Sequence, residues 1–334
     1  MSDYLFKSNP IEDFNKKRNY KQLIRTYLCS LIHNFNPKNR SLKSHQIIIN
    51  SSGLGNVRQN GIISDRLISD FFSKYSRSVF VYQDICKDGL FDRYEFKRMH
   101  FSRPDRLYTN AYSSIFCKRD INGIVEALVA RVAQNAENNI NYKFKIDKIN
   151  VLKNVLTKRL SQLPQLLLYY QKWFSKSNFK LLLKEDACYG GMNIPIIHAA
   201  KSCGIIVAEY QHGMISKGHD AYNASSRVLS DDRFKLTLPD YLLTYGNWWN
   251  GQTNLPVKKI SVGNPYLIKK VMSLNIPNVQ NKVLIIGDGI ETEMYLNFSS
   301  NVAKICSMIG YKVYFRPHPL EKTKLSSFKL PKDV

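Results

Sequence analysis

The sequence predicts an α/β protein made of two Rossmann-like domains, the second of them incomplete. Three observations carry that reading. Short apolar runs recur along the chain, each of strand length and each closing in polar or glycine residues: 46–50, 78–82, 179–183, 205–208, 282–286 and 311–315. Such runs suit strands buried on both faces of a parallel sheet. Helical stretches lie between several of them, the alternation that builds βαβ units. The third observation is length: 334 residues exceed what a single core usually holds, so two domains are expected.

Residues 1–44 are polar and basic. Lys16-Lys17-Arg18 and Lys38 to Lys43 flank a patch whose Leu23, Ile24, Tyr27, Leu28, Leu31 and Ile32 have helical spacing. The segment reads as a basic amphipathic helix, either packed on the domain or lying on a membrane surface. The first domain is placed at 45–266. Its opening strand, 46–50, runs into the glycine-rich stretch Ser51 to Gly61, and Ile62 to Phe72 then has helical period. Strand, glycine loop and helix would open a Rossmann-like unit whose helix N-terminus suits an anion. The full GxGxxG pattern is absent, so the loop reads equally as a tight turn or as an acceptor-site loop.

A strand at 78–82 comes next, then helices at 121–138 and 149–175, the latter expected to kink or break at Pro164. The strand at 179–183 delivers Lys184-Glu185-Asp186. Past Gly190-Gly191, a helix is expected over 193–202, with Asn193 as its N-cap and Pro195 in its first turn. The strand 205–208 stops at Gln211-His212-Gly213, and a polar loop carries Ser216, Lys217, His219 and Tyr222. Glu185, Asp186 and His212 thus emerge at one edge of neighbouring parallel strands, where ligands of open α/β sheets gather. Strands at 239–245 and 260–265 complete this domain, and the polar stretch 267–281 reads as a linker. The second domain, 282–334, opens with a strand, the loop Gly287-Asp288-Gly289, and a helix from about Glu291 and Thr292 through Met308. Its next strand delivers Arg316-Pro317-His318-Pro319.

Composition narrows the partners. There are 49 Lys and Arg against 26 Asp and Glu, a net charge of +23, which favours anionic partners. The six cysteines contain no CxxC pair, so neither a zinc site nor a disulfide framework is expected. No signal peptide and no membrane-spanning run is read, which places the protein in the cytoplasm.

Three polar clusters sit at predicted carboxyl ends of strands: Lys184-Glu185-Asp186, Gln211-His212-Gly213 and Arg316-Pro317-His318-Pro319. Group transfer from a phosphate-activated donor needs a base for the acceptor hydroxyl and cationic groups for the leaving phosphate. A carboxylate in one domain and an Arg-His pair with a helix N-terminus in the other supply both. Each element also has a plainer reading: Asp186 as a helix cap, Arg316 as the partner of a structural carboxylate. Asp231-Asp232 reads as a solvated turn, and neither a metal nor another cofactor is required.

The ordered set of Gln211-His212-Gly213, His219, Tyr222, Pro239-Asp240-Tyr241, Val262-Gly263-Asn264-Pro265 and Arg316-Pro317-His318-Pro319 resembles the bacterial surface-polysaccharide glycosyltransferases of GT-B fold. These are the capsule and lipopolysaccharide enzymes akin to Kdo transferases and bacterial sialyltransferases. The resemblance covers about residues 180–320. It implies a nucleotide-sugar donor, with CMP-linked sugars favoured, and a cell-surface polysaccharide or lipopolysaccharide acceptor. The enzyme would work at the inner face of the plasma membrane. It places the donor phosphate on His318, and the chemistry of the residues sets Arg316, Gly289 and Thr292 beside it. Asp186 or Glu185 becomes the base, His212 an acceptor-side group or alternative base, and Gln211, Gly213, His219, Tyr222 and Asn264 acceptor or loop residues. The sialyltransferase acidic-acidic-Gly pattern is not matched, because Glu185-Asp186 is followed by Ala187. The chain ends 15 residues after Pro319, so the expectation is a short second domain, either inactive or completed by a partner.

The rival reading is a non-catalytic protein that binds nucleic acid or another polyanion, which the charge and 20 tyrosines would suit. Against it, the basic residues are spread along the chain and no nucleic-acid-binding motif is present. Nucleic acid is therefore not an expected partner.

Overall fold

The computed structural model describes residues 24, 28, 31, 32, 34, 44–53, 55–75, 77–83, 93–96, 99–101, 121–274, 281–287 and 291–318. The first apolar run forms β1 (Ile47–Ser51), but the predicted glycine loop and helix do not come after it. β2 (Asn56–Gln59) and β3 (Ile62–Asp65) pair antiparallel, and only Ser69–Phe72 is helical (α1). The reason is Asn60-Gly61, whose φ values of 51° and 74° are both left-handed. A two-residue turn of that hand matches the twist of flanking strands and closes a hairpin. The helix N-terminus expected there as an anion site does not exist. Gly61→Ala would place a Cβ in open space but at a φ that L-residues resist. It is expected to cost about 1–2 kcal/mol, read as a lower melting temperature.

β4 (Val79–Gln83), β5 (Arg93–Tyr94) and β6 (Met99–Phe101) come next, then the helices α2 (Asn122–Ile140) and α3 (Ile146–Phe174). α3 runs unbroken through Pro164. A 29-residue helix that buries Leu166, Tyr170 and Phe174 absorbs the one hydrogen bond that a proline removes. β7 (Leu181–Lys184), α4 (Ile194–Ser202), β8 (Ile206–Tyr210), the short α5 (Ser226–Leu229) and α6 (Asp232–Leu236), β9 (Tyr241–Thr244), α7 (Asn247–Asn250) and β10 (Lys258–Ser261) complete this part.

Seven of these strands form one sheet in the order β10-β9-β8-β7-β1-β4-β6, every neighbouring pair parallel. Alternate residues face opposite sides. Ile48, Phe80, Leu182 and Val207 meet Leu166, Tyr170 and Phe174 of α3 and Ile196, Ile197 and Ala200 of α4. Ile49, Val81, Leu183 and Ala208 meet Ile68 and Phe96 on the other face. Burial on both faces explains why these strands read as unbroken apolar runs. The mixed α/β class with Rossmann-like parallel units, predicted from those runs, is the observed architecture.

The chain divides into two compact units, Met1–Ile268 and Lys269–Val334. The stretch read as a linker is not featureless, because α8 (Pro265–Ser273) occupies its first part. Tyr266, Leu267, Ile268, Val271 and Met272 give that part an apolar content that a reading based on its lysines passes over. Among the described residues of the second unit, β11 (Lys282–Ile286) and β12 (Lys312–Arg316) are parallel and joined through α9 (Thr292–Ser307) as a βαβ unit. Its core is Ile285, Ala303 and Val313. Among the described residues, no helix is long and apolar enough to cross a membrane.

Candidate active site

The strand order places a topological switch point in the first unit. From β1 the sheet grows outward through β4 and β6, and from β7 it grows the other way through β8, β9 and β10. The crevice outside the carboxyl ends of β1 and β7 is where such sheets bind ligands. Groups from three adjacent strands gather there. The Ser52 backbone N–H, just past β1, donates to Glu185 Oε2 at 2.6 Å. Asp186, past β7, and His212, past β8, are joined by a 3.1 Å contact between Oδ1 and Nε2.

Asp186 is held in an unusual way. Its φ of 60° and ψ of 28° are left-handed, a conformation that aspartate adopts more readily than most residues. Its carbonyl accepts from Asn193 Nδ2 at 2.7 Å and from the Tyr189 N–H at 3.1 Å. Asn193 does sit at the N-cap position of α4, yet its side chain serves Asp186 instead of capping the helix. The carboxylate is thereby aimed across at His212. One imidazole nitrogen faces the carboxylate and the other, Nδ1, is buried and without a hydrogen-bond partner among the described residues.

Glu185 plays a different part. Only 5% of it is exposed. Burial raises its carboxyl above the usual carboxylate range, with Asp186 and Asp65 adding to the rise and Ser52 opposing it. Asp65 is a second buried carboxyl whose proton affinity burial raises. It accepts from Ser51 Oγ at 2.7 Å and from the Leu67 N–H at 2.9 Å. A Cβ on Gly55 would lie 2.6 Å from Asp65 Oδ1, so glycine is needed there for close approach. Glu185 and Asp65 therefore brace the crevice, while Asp186 and His212 pair at its rim.

The remaining expected residues sort by geometry. His219 Nε2 lies 3.1 Å from Tyr189 Oη, and the Tyr189 ring also adjoins His212. Burial, then the charges of Asp186 and Glu209, pushes the Tyr189 phenol up to about 12, so it stays a donor at neutral pH. Tyr222, expected as an acceptor or loop residue, lies in the loop after β8 with its side chain in the core, 1% exposed, its hydroxyl donating to Glu209. Gln211 is a brace as well: its Oε1 accepts from the Tyr245 N–H at 2.8 Å and its Nε2 donates to the Gly213 carbonyl at 2.8 Å. Gly213 has open space where a Cβ would go, so no close approach requires glycine there. Asn264 Oδ1 accepts from the Leu267 N–H at 3.0 Å, and with Gln211 and Tyr245 it lines a small cleft beside the crevice.

The donor-side residues belong to the second unit. Thr292 is buried at the start of α9, Arg316 is exposed at the end of β12, and His318 is half-buried two residues further on. Gly289 lies outside the described residues.

Glu209 escaped the sequence reading. It is fully buried on β8, with Oε2 accepting from the Cys188 N–H at 2.7 Å and Oε1 from Tyr222 Oη at 2.5 Å. It ties the 187–189 turn to the loop after His212. A carboxylate inside an otherwise apolar parallel strand was the signal that could have found it. Among the described residues, no three His, Cys, Asp or Glu side chains gather to hold a metal ion.

No protein-family model and no curated protein matches the chain. Solved structures do. Phytolacca americana UGT2, complexed with UDP-2fluoro-glucose and pterostilbene, aligns with a TM-score of 0.33 and 9% identity. The alignment covers 82% of this chain and 66% of that one, just under two thirds of its length. UDP-GlcNAc 2-epimerase from Neisseria meningitidis, bound to UDP-GlcNAc, aligns with a TM-score of 0.32 and 12% identity, over 87% of this chain and 73% of that one. Likenesses of that size carry no inference about activity.

Proposed function

We propose that the protein is a glycosyltransferase of GT-B type. It moves a sugar from a nucleotide-activated donor, CMP-linked by preference, to a cell-surface polysaccharide or lipopolysaccharide acceptor at the cytoplasmic face of the inner membrane. The observation that supports this reading best is the Asp186–His212 pair at the carboxyl ends of adjacent parallel strands, beside the switch point. In this reading the pair takes the proton of an acceptor hydroxyl. The acceptor oxygen bonds to the anomeric carbon as the bond from that carbon to the donor phosphate breaks, and the nucleotide departs with the electron pair. In the second unit, Arg316 and His318 are the candidates for carrying the phosphate charge, with Thr292; Gly289, expected there too, lies outside the described residues. His219 and Asn264 remain candidates for acceptor contact, and Glu185 holds the crevice in shape.

Thermal-shift titration with CMP, UDP and GDP tests the donor half. Binding to the folded state alone stabilises it by mass action, by about 2.7 kcal/mol at a hundredfold excess over Kd, and so raises the melting temperature. One nucleotide, CMP by preference, is expected to stabilise the chain, and an Arg316→Ala/His318→Ala variant should lose the shift. A cooperative melt that none of the three nucleotides moves would overturn the reading.

A further inference from the structure

The carboxyl rim of the large sheet continues past the crevice. From β7, with Asp186, and β8, with His212, the strand order runs on to β9 and β10. Neighbouring strands lie about 4.8 Å apart, so the rim from β7 to β10 spans roughly 14 Å. The turn that follows β9 carries Tyr245 and then α7, and it presents Trp248 with 66% of its surface exposed.

The indole is held in place although it is exposed. Trp248 stands edge-on to Trp249, ring centroids 4.8 Å apart at 85°, and Trp249 packs against the core beneath. Hydrogen bonds tie the turn under both rings to its neighbours. The Tyr245 N–H donates to Gln211 Oε1 at 2.8 Å, Thr244 Oγ1 to Asn250 Oδ1 at 2.7 Å, and Asn250 Nδ2 to Ser261 Oγ at 3.1 Å. Ser261 Oγ in turn donates to Asn247 Oδ1, which leaves the Nδ2 of this exposed residue as a donor. Among the described residues, neither that amide nitrogen nor the Trp248 indole N–H has a hydrogen-bond partner. The small cleft beside the crevice takes its lining from both ends of this rim: Tyr245, at the start of the turn, and Gln211, next to His212.

A fixed indole face with donors beside it suits a sugar ring. The C–H face of the ring leaves water against the indole, and its hydroxyls find partners in the Asn247 amide and the indole N–H. A lipid chain would cover the same indole and take nothing from the donors. An extended peptide would seek an unpaired strand edge, and β9, which carries the platform, is paired on both sides. The length of the rim fits linked sugars better than one.

We propose that Trp248 and Asn247 form a glycan-binding subsite, and that the acceptor is an oligosaccharide held there by its inner sugars while its end reaches the Asp186–His212 pair. That the bound glycan is the acceptor rests on the sugar-transfer reading; the binding itself does not.

Isothermal titration of the full chain, with no nucleotide present, tests it. The probes are cellohexaose, chitohexaose and a hyaluronan hexasaccharide, each beside its single sugars. At least one hexasaccharide is expected to bind about tenfold or more tighter than its single sugars. Trp248→Ala should weaken that binding by about tenfold or more, and Trp248→Phe should keep most of it. Asn247→Asp still accepts from Ser261 but lacks the donor, and should weaken binding about threefold or more. All these variants should melt as wild type, since both side chains are exposed. No hexasaccharide binding, no gain over single sugars, or undiminished binding by Trp248→Ala overturns the proposal. Binding of dihexanoylphosphatidylcholine that Trp248→Ala abolishes, with the hexasaccharides unbound, overturns it in favour of a lipid. Glycan binding lost in Trp248→Ala, in a chain that no nucleotide stabilises, would support the subsite and remove only the transferase reading.

Discussion

His212→Ala is expected to lower the turnover of sugar transfer by about 10²–10⁴-fold, the usual loss when a general base is removed. The side chain is only partly buried, and its polar contact among the described residues is the 3.1 Å approach of Nε2 to Asp186 Oδ1. Its removal should therefore leave thermal stability nearly intact. Asp186→Asn is expected to act in the same way, because asparagine keeps the shape and tolerates the left-handed backbone but is not a base. Glu185→Gln provides the contrast. Glutamine still accepts from the Ser52 N–H, and burial already favours a proton on the native carboxyl, so a loss of less than about tenfold is expected. The measurement is nucleotide release from whichever donor stabilises the chain. Full turnover in both the His212 and Asp186 variants would remove the pair from the mechanism, and a larger loss for Glu185→Gln would move the base to Glu185.

The largest effect on stability is expected at Glu209. Glu209→Leu strands the Cys188 N–H and the Tyr222 hydroxyl without acceptors in a fully buried setting, at about 1–3 kcal/mol each. A total of roughly 3–5 kcal/mol would put this among the severe substitutions. Glu209→Gln keeps both partners, accepting from one and donating to the other, and should stay within about 1 kcal/mol of wild type at acid pH. The two differ in their response to pH. Burial raises the Glu209 carboxyl above its ordinary value of 4.5, against the lowering by Cys188 and Tyr222, so the folded chain holds this proton more tightly than the unfolded one. A raised acid contributes stability below the unfolded value and loses it as pH climbs through the folded one. The Gln variant has no such loss, so its melting temperature relative to wild type should rise between about pH 4 and 8. A flat difference across that range would mean that Glu209 is ionised in the fold.

Much of the first unit was legible because its strands are buried on both faces. Leu182-Leu183 and Val207-Ala208 have no polar side to hide the run, and two parallel strands with a helix between them bring Asp186 and His212 to one rim. The hairpin after β1 was not legible, since Ile62, Ile63, Leu67, Ile68 and Phe72 fit a helical period until the left-handed demands of Asn60-Gly61 outweigh it. Of the kink or break expected at Pro164, the break does not occur, because tertiary burial of the α3 face outweighs a local breaker. Roles inside the site were harder still. Glu209 and Tyr222 differ from a catalytic pair only in burial, and a histidine loop in sequence does not show which of its neighbours turns inward.

The backbone at Asp186 narrows what natural drift can do at that position. Two requirements coincide on one residue: a conformation that few L-amino acids accept, and a carboxylate within reach of His212. Only glycine, asparagine and aspartate meet the first readily, and of those aspartate alone meets the second. A saturation library sorted first for folding and then for turnover would therefore return two nested answers. The folded set should be small and enriched in those three residues, and the working set should contain one. Most positions in a protein answer to a single constraint, and this one could be mapped without knowing the substrate in advance, since the outer boundary of the tolerated set is drawn by chain geometry.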